Sequence, residues 1–183
     1  MSEAILDAAE SVALEAGIEA ATAAAIAARA GVAVGTLYNY FSDRDAILTA
    51  LFRTRRSEIL PAIEDAAQRA AALPFEDRLR SYIRGLLSAF EARRDFLKLA
   101  VVTEGEKIKG RDRTLMTRVL QHLEDIMRDG AADKLFAADR VPAYARMIQG
   151  SMKGLVLWRV SEGGAFTDDA DIVVDTFLRG VTG

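Results

Sequence analysis

The stretch that decides the fold of this chain is Thr36-Leu37-Tyr38-Asn39-Tyr40-Phe41. Wound as an α-helix at about 100° per residue, it places Leu37 and Phe41 on one side. Asn39 and the preceding Gly35 then fall on the opposite side. The pattern predicts a short helix that is anchored by a narrow apolar face and that presents a glycine and an amide outward.

The flanks of this short helix carry hydroxyl groups. Thr36 and Tyr40 share one edge, and Tyr38 lies on the other. A helix in the major groove of DNA meets base edges with its outer ridge and phosphate groups with its flanks. Asn39 can pair bidentately with adenine, and Gly35 would let the helix backbone approach closely. The alternative is a buried helix whose tyrosines extend their hydroxyl groups to water.

The segment around the hexapeptide has the order of a known DNA-binding domain. The matching pieces are Ile5-Leu6-Asp7-Ala8-Ala9, Gly17, Thr22, Ile26-Ala27, Ala30-Gly31-Val32, the run from Gly35 to Phe41, and the run from Ser42 to Leu48. Together they resemble the DNA-binding domain of the TetR family of bacterial transcriptional regulators. The resemblance implies a helix-turn-helix domain over residues 1–46 and a helical ligand-binding and dimerisation domain over residues 47–183.

The predicted DNA-binding residues follow from the pattern and the resemblance together. Gly35 and Asn39 are expected to face bases, with Tyr38 near one backbone. Ala33 and Val34 stand where the family commonly has a serine cap and a basic residue. Arg44 matches a phosphate-contacting position of the family, although a solvated surface arginine is equally compatible with the sequence. The full set is Thr22, Val34, Gly35, Thr36, Tyr38, Asn39, Tyr40 and Arg44.

The charge balance argues against a strongly basic DNA-binding surface. The chain of 183 residues has a net charge of −3, and residues 1–52 contain two arginines against seven acids. A DNA-binding surface usually has a basic footprint. The sequence therefore predicts few charged phosphate contacts and a shallow salt dependence. It also leaves open an alternative function, a helical protein-interaction module that keeps the regulator fold with weak or lost DNA binding.

Apolar spacing of three and four residues, interrupted by glycine and proline, predicts an all-α chain of about nine helices and no strand. Ser2 and Asp139 are expected to cap the first and eighth helices, Pro61 to kink or split the fourth, and Gly180 to end the ninth. The predicted helices cover about 2–16, 22–30, 33–40, 75–93, 95–104, 111–129 and 167–180, with a loop over 105–110. The fourth helix is expected to begin near 43–45 and to run towards 72, and the eighth to begin at about 139.

The C-terminal helices suggest an effector pocket and a dimer interface. His122 lies on or beside an apolar helix face, where a hydrogen-bonded core histidine is the commoner interpretation and ligand contact the alternative. The resemblance implies a small-molecule effector held between helices and a homodimer formed through the last two helices, over about 139–181. Candidate lining residues are Phe90, Phe96, Leu99, Met116, Leu120, His122, Met127 and Trp158.

Catalytic and metal-binding patterns are lacking in the sequence. There is no cysteine, only one histidine, and no motif of a phosphate loop, a zinc protease or a serine hydrolase. Glu104 and Glu106 near Lys107 are best interpreted as a solvated turn. No apolar run is long enough to span a bilayer. We therefore expect a cytoplasmic regulator without a cofactor, a metal or a membrane partner, which binds double-stranded DNA and is not an enzyme.

Overall fold

A computed structural model describes residues 1–103 and 114–182 of the chain. Within these residues it contains nine α-helices, three short 3-10 helices and no strand, which confirms the predicted fold class. The α-helices are α1 Ser2–Ala16, α2 Ala23–Ala30, α3 Val34–Tyr38, α4 Arg44–Ala70, α5 Phe75–Glu91, α6 Arg94–Thr103, α7 Thr114–Ala132, α8 Val141–Glu162 and α9 Ala170–Thr182. The 3-10 helices are Ile18–Ala20, Ala138–Arg140 and Phe166–Asp169.

The described residues divide into two compact units. The first contains residues 1–58 and 95–103, and the second contains residues 59–94 and 114–182. In the first unit, α1, α2, α3 and the start of α4 enclose a core of aliphatic side chains. This core includes Ile5, Ile26, Leu37, Ile47 and Leu51, all with no exposed surface.

The second unit is built from amphipathic helices with one aromatic centre. Phe136 packs edge-on against Phe75 and Tyr144, with ring centroids 5.9 and 5.0 Å apart, and Phe177 joins the same group. A Cβ atom at Gly130 would lie 2.8 Å from the Phe75 ring and 2.9 Å from the Phe136 ring. Because the Phe75 ring is buried and the half-buried Phe136 ring packs against it, the close approach of α7 at this point favours glycine.

Several predicted helix limits differ from the observed ones. Ser2 is the first helical residue of α1 and not its cap, and Asp139 lies in a 3-10 turn before α8. Pro61 does not split α4, since Ile59 and Ile63 on either side of it are buried and hold the helix against the core. Gly180 lies inside α9, which extends through Thr182.

The predicted loop over 105–110, the predicted start of the seventh helix at 111 and the Glu104–Glu106 pair lie outside the described residues. No helix within 1–103 or 114–182 combines the length and the apolar character needed to cross a membrane.

Candidate DNA-binding surface and effector region

The helix-turn-helix is organised by a capped α2 and a left-handed turn. The hydroxyl of Thr22 accepts a hydrogen bond from the backbone N–H of Ala25 at 3.2 Å, which caps α2. Gly31 ends the helix with φ 69° and ψ 30°, and the N–H of Val32 donates to the carbonyl of Ala27 at 3.0 Å. These contacts fix the direction in which the chain leaves α2 and enters α3. As the sequence indicated, Ala33 gives α3 no side-chain cap.

Helix α3 is shorter than predicted, because its last turn tightens. The N–H groups of Tyr40 and Phe41 both donate to the carbonyl of Leu37, at 3.1 and 3.2 Å. The helix therefore ends at Tyr38, although Asn39 keeps right-handed helical angles. Leu37 is fully buried, whereas Phe41 is only half-buried. Leu37 is thus the main anchor of the recognition helix.

The outward side of α3 presents the small and polar residues predicted from spacing. Gly35 and Asn39 are exposed to solvent, and Thr36 is half-buried. Tyr38 and Tyr40 are each 50% exposed, and Val34 is 39% exposed. A Cβ atom at Gly35 would meet nothing within 4 Å. The protein's own packing therefore does not require glycine at this position, and a partner could approach the backbone closely.

Arg44 is held by the protein's own backbone. Its Nε donates to the carbonyl of Ala21 at 3.0 Å and its Nη2 to the carbonyl of Ile18 at 2.5 Å. The carboxylates of Glu19 and Asp45 lie 3.8 and 3.6 Å from the guanidinium. Arg44 therefore ties the 3-10 helix before α2 to the start of α4, and its positive charge is offset locally.

An ion cluster centred on Arg55 joins α1 to α4. The Arg55 guanidinium, only 5% exposed as a residue, donates to Glu10 at 2.7 Å, to Glu3 at 2.6 Å, to Glu58 at 2.8 Å and to Asp7. Burial alone would lower the pKa of Arg55, but these hydrogen bonds outweigh it and raise the pKa above its usual value.

Sequence reasoning missed the Arg55 cluster. The available signal was the spacing of Glu3, Asp7 and Glu10, which places three carboxylates on one face of α1. The partner residue lies 45 or more positions away in the chain, on a helix whose packing against α1 the sequence pattern does not specify. The cluster fixes α1, and with it the helix-turn-helix core, against α4.

The eight predicted effector-lining residues are not gathered in one unit. Phe96 and Leu99 are buried in the first unit, where the Phe96 ring lies 5.6 Å from the Phe52 ring. Met116 and Trp158 keep 39% and 48% of their surface. Met116 and Trp158 belong to the second unit, which also contains the other four candidates. Of these four, Phe90 and Met127 are buried, whereas Leu120 and His122 are half-buried.

His122 belongs to a polar cluster in the second unit. Its Nε2 lies 3.3 Å from a carboxylate oxygen of Glu64, and its ring lies 5.6 Å from that of Tyr82. Arg118 donates to both Glu64 oxygens, through Nε and, at 2.8 Å, through Nη2. These hydrogen bonds are the main reason that the pKa of Glu64 falls to about 2. Burial, with the Glu64 charge as the smaller cause, raises the pKa of Tyr82.

One face of α8 is exposed in spite of its small and apolar residues. Met147 and Trp158 keep 60% and 48% of their surface, and Ser151 and Gly154 lie between them on the same face. A Cβ atom at Gly154 would meet nothing within 4 Å. The buried face of α8 carries Ala145, Ile148 and Met152 instead. The second unit therefore presents a helix face on which a further helix could pack closely.

The capped α2, the glycine turn and an outward polar α3 form a helix-turn-helix, the element with which many transcriptional regulators bind DNA. Residues 5–51 match the family model for bacterial regulatory proteins of the tetR family. The match confirms the predicted resemblance of this segment to the DNA-binding domain of that family. No curated protein sequence matches the chain.

Solved structures of similar regulators share the fold over nearly all of the chain. The fatty acid degradation regulator FadR of Bacillus halodurans has a TM-score of 0.77 at 22% identity, covering 98% of this chain and 95% of that one. FadR of Bacillus subtilis, in complex with stearoyl-CoA, has a TM-score of 0.77 at 22% identity, covering 99% and 100%. PfmR of Thermus thermophilus has a TM-score of 0.74 at 20% identity, covering 96% and 97%.

Proposed function

We propose that the protein is a ligand-responsive repressor that binds a palindromic DNA operator as a homodimer in the cytoplasm and is released by a small apolar effector. Residues 1–46 would read the DNA, and residues 47–183 would hold the effector and the second subunit. The observation that carries this proposal is the outer side of α3. There Gly35 and Asn39 are exposed while Leu37, on the opposite side, has no exposed surface.

The chemistry of this ridge suits the major groove. Asn39 offers the donor and acceptor pair that matches adenine N6 and N7, and Gly35 leaves room for the base edges. Hydroxyl groups of Thr22, Thr36 and Tyr40 would donate to phosphate oxygens on either side. The held guanidinium of Arg44 would fix the start of α2 and α4 while its outer edge lies near the DNA backbone.

We propose that the homodimer forms through α8 and α9. The exposed face of α8 at Met147, Ser151, Gly154 and Trp158 has the small and apolar residues that close helix packing needs. A two-fold dimer would place two recognition helices about 34–36 Å apart, one turn of DNA. Introducing a charge by Met147→Glu should shift the protein from dimer to monomer in sedimentation velocity. If the variant remained a dimer, Met147 and the exposed face of α8 would not form the interface.

The effector would act by preferring one arrangement of the dimer. It can shift the equilibrium only by its difference in affinity between the DNA-binding and released states. The candidate contacts are Phe90, Phe96, Leu99, Met116, Leu120, His122, Met127 and Trp158. Because the similar FadR structure holds stearoyl-CoA, a compound with a long acyl chain is the first effector to test.

A mobility-shift experiment tests DNA reading directly. The probe is the DNA upstream of the protein's own gene, at two salt concentrations, with wild type, Asn39→Ala and the matched control Gln68→Ala. Both variants remove an exposed amide, but Gln68 lies on α4, outside the helix-turn-helix. We expect Asn39→Ala to cost about 1–3 kcal/mol and to relax specificity at one base position. Gln68→Ala should bind as wild type does.

Two results would contradict the proposal. Equal loss in Asn39→Ala and Gln68→Ala would mean that the ridge does not read bases. Absence of any retardation at low salt, with a folded protein, would favour the alternative of a helical interaction module that has lost DNA binding. The offset charge of Arg44 is the observation that keeps this alternative worth testing.

A further inference from the structure

The second unit contains a buried hydroxyl that has no hydrogen-bond partner among the residues the structure describes. Tyr82, on α5, has no exposed surface, yet its hydroxyl oxygen makes no hydrogen bond within the described residues. Nε2 of His122, on α7, is also buried and lies 3.3 Å from the Glu64 carboxylate. The two rings lie 5.6 Å apart. A buried hydroxyl without a partner costs stability, whereas phenylalanine would fill the same core position without that cost.

The surroundings define what kind of group could satisfy the Tyr82 hydroxyl. Burial and the Glu64 carboxylate raise the pKa of the phenol, so it stays protonated and can donate. Burial disfavours a second anion at the hydroxyl, and the Glu64 carboxylate opposes such an anion more than the Arg118 guanidinium favours it. The favoured partner is therefore a neutral hydrogen-bond acceptor.

An apolar row continues from Tyr82 along α5. Leu86 and Phe90 follow at intervals of four residues, on the same face of the helix, and are 0% and 7% exposed. A ligand with an apolar body and one polar end would meet aliphatic and aromatic surface along this row and the hydroxyl at its end. Such ligand sites are mostly apolar, with few polar groups that fix orientation.

We propose that the Tyr82 hydroxyl hydrogen-bonds a neutral carbonyl oxygen of the effector, as found in an ester, thioester, ketone or amide. The inference rests on the proposed function, because it names the chemistry of the effector. Tyr82 is thus a specificity-determining residue. It distinguishes a neutral carbonyl compound from the free carboxylate of the same chain length.

The test compares three probes of equal chain length: methyl octanoate, octanoate and octylammonium. Binding is measured by calorimetry and by thermal unfolding, for wild type, Tyr82→Phe and the matched control Tyr144→Phe. Tyr144 lies in the aromatic group of the same unit, against Phe136 and Phe177. We expect methyl octanoate to bind wild type and Tyr144→Phe more tightly than the two charged probes. Tyr82→Phe should lose about tenfold in affinity for the ester, the effect of one hydrogen bond.

The ligand-free proteins supply a second readout. Without ligand, Tyr82→Phe should unfold at the same temperature as wild type or at a higher one, since it removes a buried hydroxyl that has no partner. A fall larger than that of Tyr144→Phe would show that the hydroxyl is already satisfied inside the protein, and would overturn the inference. A merely structural hydroxyl would give that fall and no ligand selectivity.

The remaining outcomes are equally decisive. Failure of methyl octanoate to bind, equal binding to Tyr82→Phe, or a preference for octanoate would each overturn the assignment of a neutral carbonyl. Retardation of operator DNA by the same samples separates the two proposals. If the protein binds DNA but does not prefer the ester, only the Tyr82 inference is wrong. If it prefers the ester but does not bind DNA, the proposed repressor function is wrong.

Discussion

Replacing Arg55 by methionine tests whether its ion cluster holds α1 against α4. Methionine keeps most of the apolar stem of the side chain, so the change removes the guanidinium with little loss of packing. Four carboxylates then lose their common partner. Those of Glu3 and Asp7, 59% and 62% exposed, can turn to water, but those of Glu10 and Glu58, 20% and 27% exposed, are partly buried.

The expected loss follows from this exposure. Removing one partner of a fully buried ion pair costs about 3–5 kcal/mol, because the other charge stays buried without compensation. Two of the four carboxylates here can hydrate, so the lower end applies and the loss should be about 3 kcal/mol. In a chain of this size each kcal/mol shifts the unfolding temperature by about 2–4 °C. Arg55→Met should therefore unfold about 6–12 °C below wild type.

Thermal unfolding followed by circular dichroism measures this effect. The matched control is Arg53→Met, on the same helix and exposed to solvent, which should change the unfolding free energy by less than about 0.5 kcal/mol. Adding Glu10→Gln to Arg55→Met removes a stranded charge and should recover about 1 kcal/mol. The reasoning is refuted if Arg55→Met behaves like the control, or if Glu10→Gln destabilises the variant further.

Three further predictions concern pH, capping and salt. Arg118 and its neighbours lower the folded-state pKa of Glu64 from 4.5 to about 2; the stability that Glu64 contributes is thus complete above pH 4.5 and lost as the pH falls towards 2. With Glu64→Gln, the unfolding free energy measured in urea should depend less on pH over that window. An unchanged pH dependence would show that the Glu64–Arg118 pair does not contribute. Thr22→Ala should cost about 1 kcal/mol in the same assay, through loss of the α2 cap; no loss would make the cap dispensable. DNA affinity should fall by much less than the 10³-fold expected between about 50 and 200 mM salt for six or more charged phosphate contacts, and a steeper slope in a titrated mobility shift would show hidden basic contacts.

The number and type of the helices were predictable because they depend on local patterns. Apolar spacing and the positions of glycine act within a few residues, and they correctly placed α2, α5 and the start of α8 to within a few positions. Helix limits were less predictable, since tertiary packing overrides them. Ile59 and Ile63 keep α4 continuous through Pro61, and Gly180 is carried inside α9 beside the buried Phe177 and Leu178.

The exposed ridge of α3 was also predictable, because spacing alone fixes which residues share a side of one helix. The Arg55 cluster and the Tyr82–His122 pair were not, since both depend on helices that are distant in sequence. The effector candidates show the same limit. An apolar stripe predicts burial, but it does not specify the unit to which each residue belongs, and Phe96 and Phe90 lie in different units.

The contacts of the acidic residues explain the negative charge of the helix-turn-helix segment. Of the seven acids in residues 1–52, the three on one face of α1 bind Arg55, and Glu15 binds Arg29. Asp43 is also engaged, because it accepts the N–H of Ala46 at the start of α4. These acids are thus engaged within the protein, although the single charge of Arg55 offsets only part of theirs, and α3 presents neutral donors. Nonspecific DNA binding, which depends almost wholly on phosphate charge, should therefore be weak. Hydrogen bonds to bases and neutral phosphate contacts would then supply most of the affinity, so this surface should discriminate between sequences more strongly than it binds DNA in general.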